Sequence, residues 1–345
     1  MQLQQRINAI SKLGTVLSTL NSESGNPEVI TLLQQVKAYN GWFTADNVDF
    51  ACRNWSKALS EKNIAQWISS YDTEKFHVDS NKVNTVAIVM AGNVPLVGLH
   101  DFLSVLLSGH RVLAKLSSND KLLLPYLAKQ LISIEPGFEN LISFTEEKLE
   151  NFDAVIATGS NNTARYFEHY FGKYPNIIRH NRNSVAILTG NENTQQLEAL
   201  ANDIFRYFGL GCRNVSKIYL PKDYNFDTFF NAMFSWKDVI HDNKYMNNYD
   251  YNKAVYLMSL MAVLDNEFLL VKEDTGFSSP ISVVFHEQYA NKEELLQHLS
   301  EHQATIQCVV SEMGLPNEIP FGMAQTPNLW DYADGIDTIQ FLIGL

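Results

Sequence analysis

Apolar residues recur at three- and four-residue steps through Leu3, Ile7, Ile10, Leu13, Leu17 and Leu20, the spacing that lines one face of a helix. Gly25 and Pro27 end that run. Pro27 to Tyr39 predicts a second helix, and Thr44 is placed to cap a third that runs through Leu59. Residues 1–80 therefore read as a helical N-terminal segment, joined to the rest by the polar stretch Asp72 to Lys82. At Val83 the pattern changes. Val86 to Met90 is a continuous apolar run with β-branched members, the mark of a strand buried on both faces, and it leads straight into Ala91-Gly92-Asn93-Val94-Pro95. Leu96 to Leu107 then reads as a buried helix and Arg111 to Lys115 as the next strand. The result is a β-α-β unit, the common support for a bound nucleotide.

The same alternation continues. Asp120 to Ser133 predicts a helix, Leu141 to Phe144 a short strand, and Phe152 to Ala157 another buried strand, closed by Thr158-Gly159-Ser160 and a helix through Ala164 to Tyr170. Strand, Gly-Ser turn and helix together aim helix N–H groups where a phosphate can sit. Neither GxGxxG nor GxxxxGK[ST] occurs, so two common nucleotide loops are missing. Ile177-Ile178 and Val185 to Leu188 flank the polar RHNRNS, which reads as a loop between strands. Beyond it the pattern predicts strands at Val215 to Leu220, Ile281 to Phe285 and Ala304 to Val310, and helices at Thr228 to Phe234, Tyr251 to Leu264 and Lys292 to His302. Thr338 to Ile343 is apolar enough to close a sheet.

With 345 residues and 46% hydrophobic side chains the chain can bury a substantial core in an α/β architecture of one large unit or two ordinary domains. Lys plus Arg number 26 against 38 Asp plus Glu, a net charge of −12 that repels polyanions, so nucleic acid is excluded as an expected partner. The three cysteines, Cys52, Cys212 and Cys308, lie far apart without CxxC or Cys/His metal spacing; no metal site is expected, and free thiols suit a reducing compartment. The N-terminus lacks the compact apolar core of a signal peptide, and no stretch reaches the length of a membrane span. The expected location is cytoplasmic. Self-association stays open.

One stretch carries candidate chemistry. In FRYFGLGCRNVSKIYLP, Phe205 to Pro221, Cys212 follows a Gly-Leu-Gly turn and precedes a strand, so a thiol is presented where backbone N–H groups and Arg213 could lower its pKa and a ligand could reach it. A small packed core thiol is the competing reading, and it is the one expected for Cys52 and Cys308. Asn93 and Lys115 stand at the two loops where the β-α-β unit exposes ligand-facing groups, with a turn residue and a solvated strand end as the plainer alternatives.

The order of these pieces resembles the aldehyde dehydrogenase superfamily and, within it, the acyl-CoA reductase branch of LuxC-type fatty-acid reductases. VMAGNVPLVGLHDFLSVLLSGHRVLAKLSS is similar to the family's Pro-Trp-Asn-x-Pro segment running to Lys-Pro-Ser, AVIATGSNNTARYF to its Phe-Thr-Gly-Ser helix start, GLGCRNVSKIYLP to its Gly-Gln-x-Cys stretch, and the tail IPFG to its Pro-Phe-Gly-Gly. The resemblance implies an aldehyde-dehydrogenase-like fold: a Rossmann-like cofactor domain at 81–204 with the tail 322–345 returning to it, a catalytic domain at 205–321, and the helical segment 1–80 packed on the cofactor domain. It implies Cys212 as nucleophile and Asn93 as an oxyanion donor with the backbone N–H of Cys212. It further implies Lys115 and Ser117 at the adenosine ribose and Gly159 with Ser160 at the pyrophosphate, with Ser118 and Thr158 as further cofactor-binding residues. The implied activity is reduction of an acyl-CoA to the aldehyde through a Cys212 thioacyl intermediate.

Where oxidising members carry Glu-Leu-Gly-Gly-Lys, this chain has Arg179-His180-Asn181-Arg182-Asn183. The glutamate that activates water is missing, and a reductase has no use for it. Arg179, His180 and Arg182 are candidates to meet phosphate or carboxylate groups, or simply form a surface loop. After Lys115 the chain reads Leu116-Ser117-Ser118, with no carboxylate to grip ribose hydroxyls; this leaves room for a 2′-phosphate and points to NADPH, with NADH as the alternative. The segment Asp274 to Pro280 only echoes the family's Glu-x-Phe-Gly-Pro. Three other functions stay open: an acyl-phosphate reductase, a cysteine acyl carrier or acyltransferase without reduction, and a silent nucleotide-binding scaffold.

Overall fold

A computed structural model describes residues 1–79 and 82–345. The expected boundary at 80/81 falls at the two residues outside that set, which also lie near the end of the polar stretch Asp72 to Lys82. The described chain divides into two compact units, one of residues 1–180 and 328–345 and the other of residues 181–327.

The first unit opens with four helices, α1 (Leu3–Thr19), α2 (Pro27–Tyr39), α3 (Ala45–Ala58) and α4 (Glu61–Ile68). Their starts follow from capping: the side chains of Asn26, Thr44 and Ser60 accept the N–H groups of Glu28, Asn47 and Asn63. Ile10, Leu13 and Leu17 are fully buried on one face of α1, as their spacing predicts. Gly14 lets α1 approach α3, since a Cβ there would stand 2.9 Å from Cβ of Leu59. The polar link is less loose than its composition suggests. Phe76, in a 3-10 turn at Thr73–Phe76, is fully buried, and its carbonyl accepts the buried Arg6 guanidinium at 2.6 Å.

A parallel five-stranded sheet follows. Its strands are β1 (Thr85–Val89), β2 (Arg111–Lys115), β3 (Ile142–Thr145), β4 (Ala154–Thr158) and β5 (Asn176–Arg179), in the order β3-β2-β1-β4-β5. The crossovers are α5 (Leu99–Leu107), α6 (Leu123–Ile134) and α7 (Asn161–Phe171). Every residue of α5 except His100 is buried, which matches its near-continuous apolar sequence. The chain builds outward from β1 to β3, then returns to the other side of β1 with β4. That reversal makes the carboxyl ends of β1 and β4 the topological switch point, the place where open sheets of this kind take ligands.

The second unit holds β6 (Asn183–Ile187), α8 (Thr194–Phe205), β7 (Val215–Pro221), α9 (Phe226–Met233), α10 (Asn243–Met258), β8 (Leu264–Asp265), β9 (Leu270–Glu273), β10 (Val283–Tyr289), α11 (Lys292–Glu301) and β11 (Ile306–Val310). Its sheet runs β11-β6-β7-β10-β9-β8, parallel except for the two-residue edge strand β8. The division at 180/181 differs from the sequence-based one at 204/205. Strand β6 pairs with β7 and β11, so RHNRNS carries the chain from one sheet to the other. A polar loop has the same composition whichever sheet its next strand joins.

Three further expectations change. The helix expected over Tyr251 to Leu264 spans Asn243–Met258, started by the Asp242 carboxylate accepting the N–H groups of Lys244 and Tyr245. The helix after β1 begins at Leu99, because Leu96 has φ of 59° and closes a turn first. Thr338 to Ile343 closes no sheet. It forms the short helix α12 (Thr338–Leu342) on the first unit, capped by Asp337, with Thr338, Ile339 and Leu342 buried.

Candidate active site

Cys212 sits between α8 and β7, in a loop held at many points. After α8, Tyr207 and Phe208 adopt φ of 55° and 58° and Gly209 φ of 75°, three consecutive left-handed residues. Two of them carry bulky side chains, and such strain persists only where surrounding contacts enforce it. Asn214, buried at 2% exposure, is that enforcement. Its Nδ2 donates to the carbonyls of Asp203 (3.0 Å), Ile204 (3.3 Å) and Arg206 (2.7 Å), and its Oδ1 accepts Gly211 N–H at 2.8 Å. The C-terminus of α8 is thereby fastened to the turn Gly211–Asn214, which presents Cys212.

Asp203, fully buried, accepts the N–H groups of Gly322 (2.6 Å) and Ala324 (3.0 Å), and the Arg213 guanidinium donates to the Ala324 carbonyl. These bonds fix the IPFG stretch beside the thiol loop. Burial pushes the Asp203 carboxyl up to about 7 against the pull of the two N–H donors. Ser184 on β6 donates to the Cys212 carbonyl at 2.9 Å and lies 2.9 Å from Sγ of Cys308. The Cys212 sulfur lies 3.7 Å from Oδ1 of Asn181, in position to donate to it. Of the three thiols only Cys212 is partly exposed; Cys52 and Cys308 are buried, and burial drives the Cys52 thiol pKa strongly upward.

The segment Asp274 to Pro280 is pinned to β7 just beyond the thiol loop. Ser216 donates to the Phe277 carbonyl at 2.6 Å, and Lys217, fully buried in the middle of β7, donates to the Thr275 carbonyl (2.9 Å) and to Glu287 (2.6 Å). Its ammonium also lies 4.9 Å from the Phe277 ring centre and 5.0 Å from that of Tyr219. Asp274, the carboxylate of the segment, accepts Gly276 N–H and pairs with Lys272.

In the first unit, seven of the expected residues gather at one edge of the sheet. Val89 is in register with Lys115 on β2 and Ala157 on β4, so Asn93, the Lys115-Ser117-Ser118 turn and the Thr158-Gly159-Ser160 turn all follow the carboxyl ends of adjacent strands. Gly92 is a close approach point: a Cβ there would stand 2.3 Å from Oγ of Ser117. Asn93 is half-buried, Ser118 exposed, and Ser160 caps α7 by accepting Thr163 N–H. Asp120, the first carboxylate after Lys115, is turned onto the backbone N–H groups of Leu123, Leu96 and Leu122; its burial raises it to about 6. The switch point between β1 and β4 and the capped start of α7 fit a dinucleotide. Cys212 belongs to the other unit.

The basic loop is tied to partners within the protein. Arg179, with 6% of its side chain exposed, forms a bidentate pair with Asp101 on α5 (2.5 and 2.8 Å) and donates to Thr338 at 3.0 Å. A guanidinium so buried requires a carboxylate partner, and Asp101, hidden in the apolar run of α5, supplies it. His180 faces Glu168, and Arg182 donates to the carbonyls of Gln303 and Ile306. Asn214, Asp203 and Asn181 were not singled out from the sequence. Asn214 and Asp203 act on backbone groups across a loop, which no residue spacing records; Asn181 was visible only as part of the segment replacing Glu-Leu-Gly-Gly-Lys.

The fold is that of the aldehyde dehydrogenases. Aldehyde dehydrogenase 21 from Physcomitrella patens, solved with the reaction product succinate, superimposes with a TM-score of 0.68 at 13% identity, covering 100% of this chain and 84% of its own. The NAD+ complex of an aldehyde dehydrogenase from Bacillus cereus gives 0.63 at 14% identity, over 91% of this chain and 72% of its own. Within that fold, residues 69–233 match the family described as Acyl-CoA reductase (LuxC), which bears out the resemblance drawn from the motifs. That span includes Asn93, the Lys115 and Gly159 turns and Cys212. A long-chain acyl-protein thioester reductase from Vibrio harveyi is 20% identical over 247 residues, 62% of this chain; the match spans about half (51%) of that relative's length. No helix of the described residues is long and apolar enough to cross a membrane, and no group of three or more His, Cys, Asp or Glu side chains among them could hold a metal ion.

Proposed function

We propose that this chain is a nicotinamide-dependent reductase of acyl thioesters, with acyl-CoA as donor, NADPH as cofactor and an aldehyde as product. The observation that carries the reading is the Cys212 loop: the one partly exposed thiol, held in a strained and multiply fastened turn, within the segment that matches the acyl-CoA reductase family. The Cys212 sulfur attacks the acyl carbon and the CoA thiol leaves with the proton, forming a Cys212 thioester. Lys115, Ser117 and Ser118, with Thr158, Gly159 and Ser160, would hold the cofactor, which would supply hydride when bound. Addition of hydride and a proton to the thioester carbonyl makes a Cys212 thiohemiacetal, whose collapse releases aldehyde and restores the thiol. The resemblance assigns Asn93 as the oxyanion donor, a role that contributes roughly 3 kcal/mol where such a donor is fixed in advance.

The choice of NADPH is supported by the turn after β2. Ser118 is exposed where a ribose-gripping carboxylate would stand, and Asp120 is committed to backbone N–H groups, so neither position sets a carboxylate against a 2′-phosphate. The test mixes the protein with acyl-CoAs, acyl phosphates and acylated carrier protein, first without cofactor. An acyl mass increment on Cys212, discharged to aldehyde on adding NADPH, is expected; Cys212→Ser should abolish both while Cys308→Ser retains them. Acylation by phosphates alone would move the donor class. A stable acyl group that NADPH never discharges would make the chain a carrier and refute reduction.

A further inference from the structure

Asn181 is the first residue of the second unit, two positions ahead of β6. Its Oδ1 lies 3.7 Å from the Cys212 sulfur, within range of an S–H···O bond. Ser184, three residues further along, holds the Cys212 carbonyl at 2.9 Å. The entry to β6 thus grips Cys212 twice, at its main chain and at its sulfur. Of the charged groups on neighbouring elements, Arg182 donates to the carbonyls of Gln303 and Ile306, Arg213 donates to the Ala324 carbonyl, and Asp203 accepts the N–H groups of Gly322 and Ala324.

We propose that Asn181 is a positioning residue for the Cys212 thiol, holding the resting S–H through its amide oxygen and fixing the direction in which sulfur faces an incoming acyl carbon. The inference rests on the reading of Cys212 as the nucleophile. An amide oxygen accepts a hydrogen bond and takes no proton, so the contact favours the thiol over the thiolate and releases when the sulfur is ionised or acylated. Asn181 itself is no base. Water near a Cys212 thioester receives no help from Asn181, and the acyl group is kept for hydride.

The test uses neither acyl donor nor cofactor. Full-length protein is alkylated with iodoacetamide from pH 5 to 10, the site is located by mass spectrometry, and the midpoint of the rate profile for Cys212 is compared among variants. Asn181→Ala should lower the midpoint by roughly half a unit, since the bond to the neutral form is lost. Asn181→Asp, the same shape with a negative charge, should raise it by about one unit. A residue of merely structural importance would change melting temperature without driving the two midpoints in opposite directions. Midpoints unchanged, or moved the same way, in two folded variants would overturn the assignment. If the midpoints diverge but wild-type Cys212 accepts no acyl group, the proposed function fails and the thiol contact stands; acyl transfer with unmoved midpoints has the reverse meaning.

Discussion

Asn214→Ala tests whether the strained loop before Cys212 is held by one buried amide. The side chain has two N–H hydrogens facing three carbonyls and one oxygen accepting Gly211 N–H, so at most three full hydrogen bonds are lost. At about 1 kcal/mol each the loss is roughly 3 kcal/mol, with the Asp203 and Ile204 carbonyls, in the last turn of α8, left without an intrahelical partner. Freed of the clamp, Tyr207 and Phe208 can leave their left-handed conformations, each of which costs on the order of 1 kcal/mol to maintain. Hydrogen exchange in peptides spanning 200–220 should accelerate roughly a hundredfold, the equivalent of that energy at 1.4 kcal/mol per decade. Acylation of Cys212 should slow at least tenfold while the first unit exchanges as before. Asn214→Asp is the control for volume, because it keeps the Gly211 acceptor but sets a second oxygen against three carbonyl oxygens; it should be no better than alanine. Exchange within a few-fold of wild type in both variants would refute the clamp.

Asp203 has its carboxyl raised to about 7 by burial, above the roughly 3.9 of an unfolded chain. The folded state therefore holds the proton more tightly, and the stability this contributes is complete below pH 4 and is lost as pH rises through about 7. Denaturant unfolding of wild type and Asp203→Asn should give free energies whose difference changes across pH 4 to 8; a constant offset would show that Asp203 does not titrate there. Lys115→Ala should weaken NADPH binding, measured by fluorescence titration, and leave cofactor-free acylation of Cys212 intact, whereas unchanged affinity would remove the cofactor from that turn. Glu287→Ala takes away the carboxylate paired with the fully buried Lys217 and should cost about 3 kcal/mol in denaturant unfolding. A loss under 1 kcal/mol would mean that the Thr275 carbonyl and the flanking rings suffice to keep the ammonium buried.

Much of this protein was written in local sequence. The helical N-terminus, the buried strands Val86 to Met90, Phe152 to Ala157 and Val215 to Leu220, and the change of period at Val83 depend on apolar spacing within a few residues. Spacing is what burial on one face or two imposes. Ordered motifs likewise pointed to the aldehyde dehydrogenase fold and to Cys212, Asn93 and the Lys115 and Gly159 turns as candidates. Tertiary structure decided what lies at long separation. Whether β6 joins the first sheet or the second depends on its pairing with β11, more than a hundred residues away, and a polar loop is silent on that choice. Thr338 to Leu342 is too short for its apolar pattern to separate strand from helix, so the Asp337 cap and packing on the first unit settled it. Arg179 looked like an anion-binding residue because charge is visible in sequence and its partner Asp101, 78 positions earlier inside an apolar helix, is not. Asn214, Asp203 and Asn181 act through hydrogen bonds that exist only once α8, β6 and the IPFG stretch converge on the thiol loop.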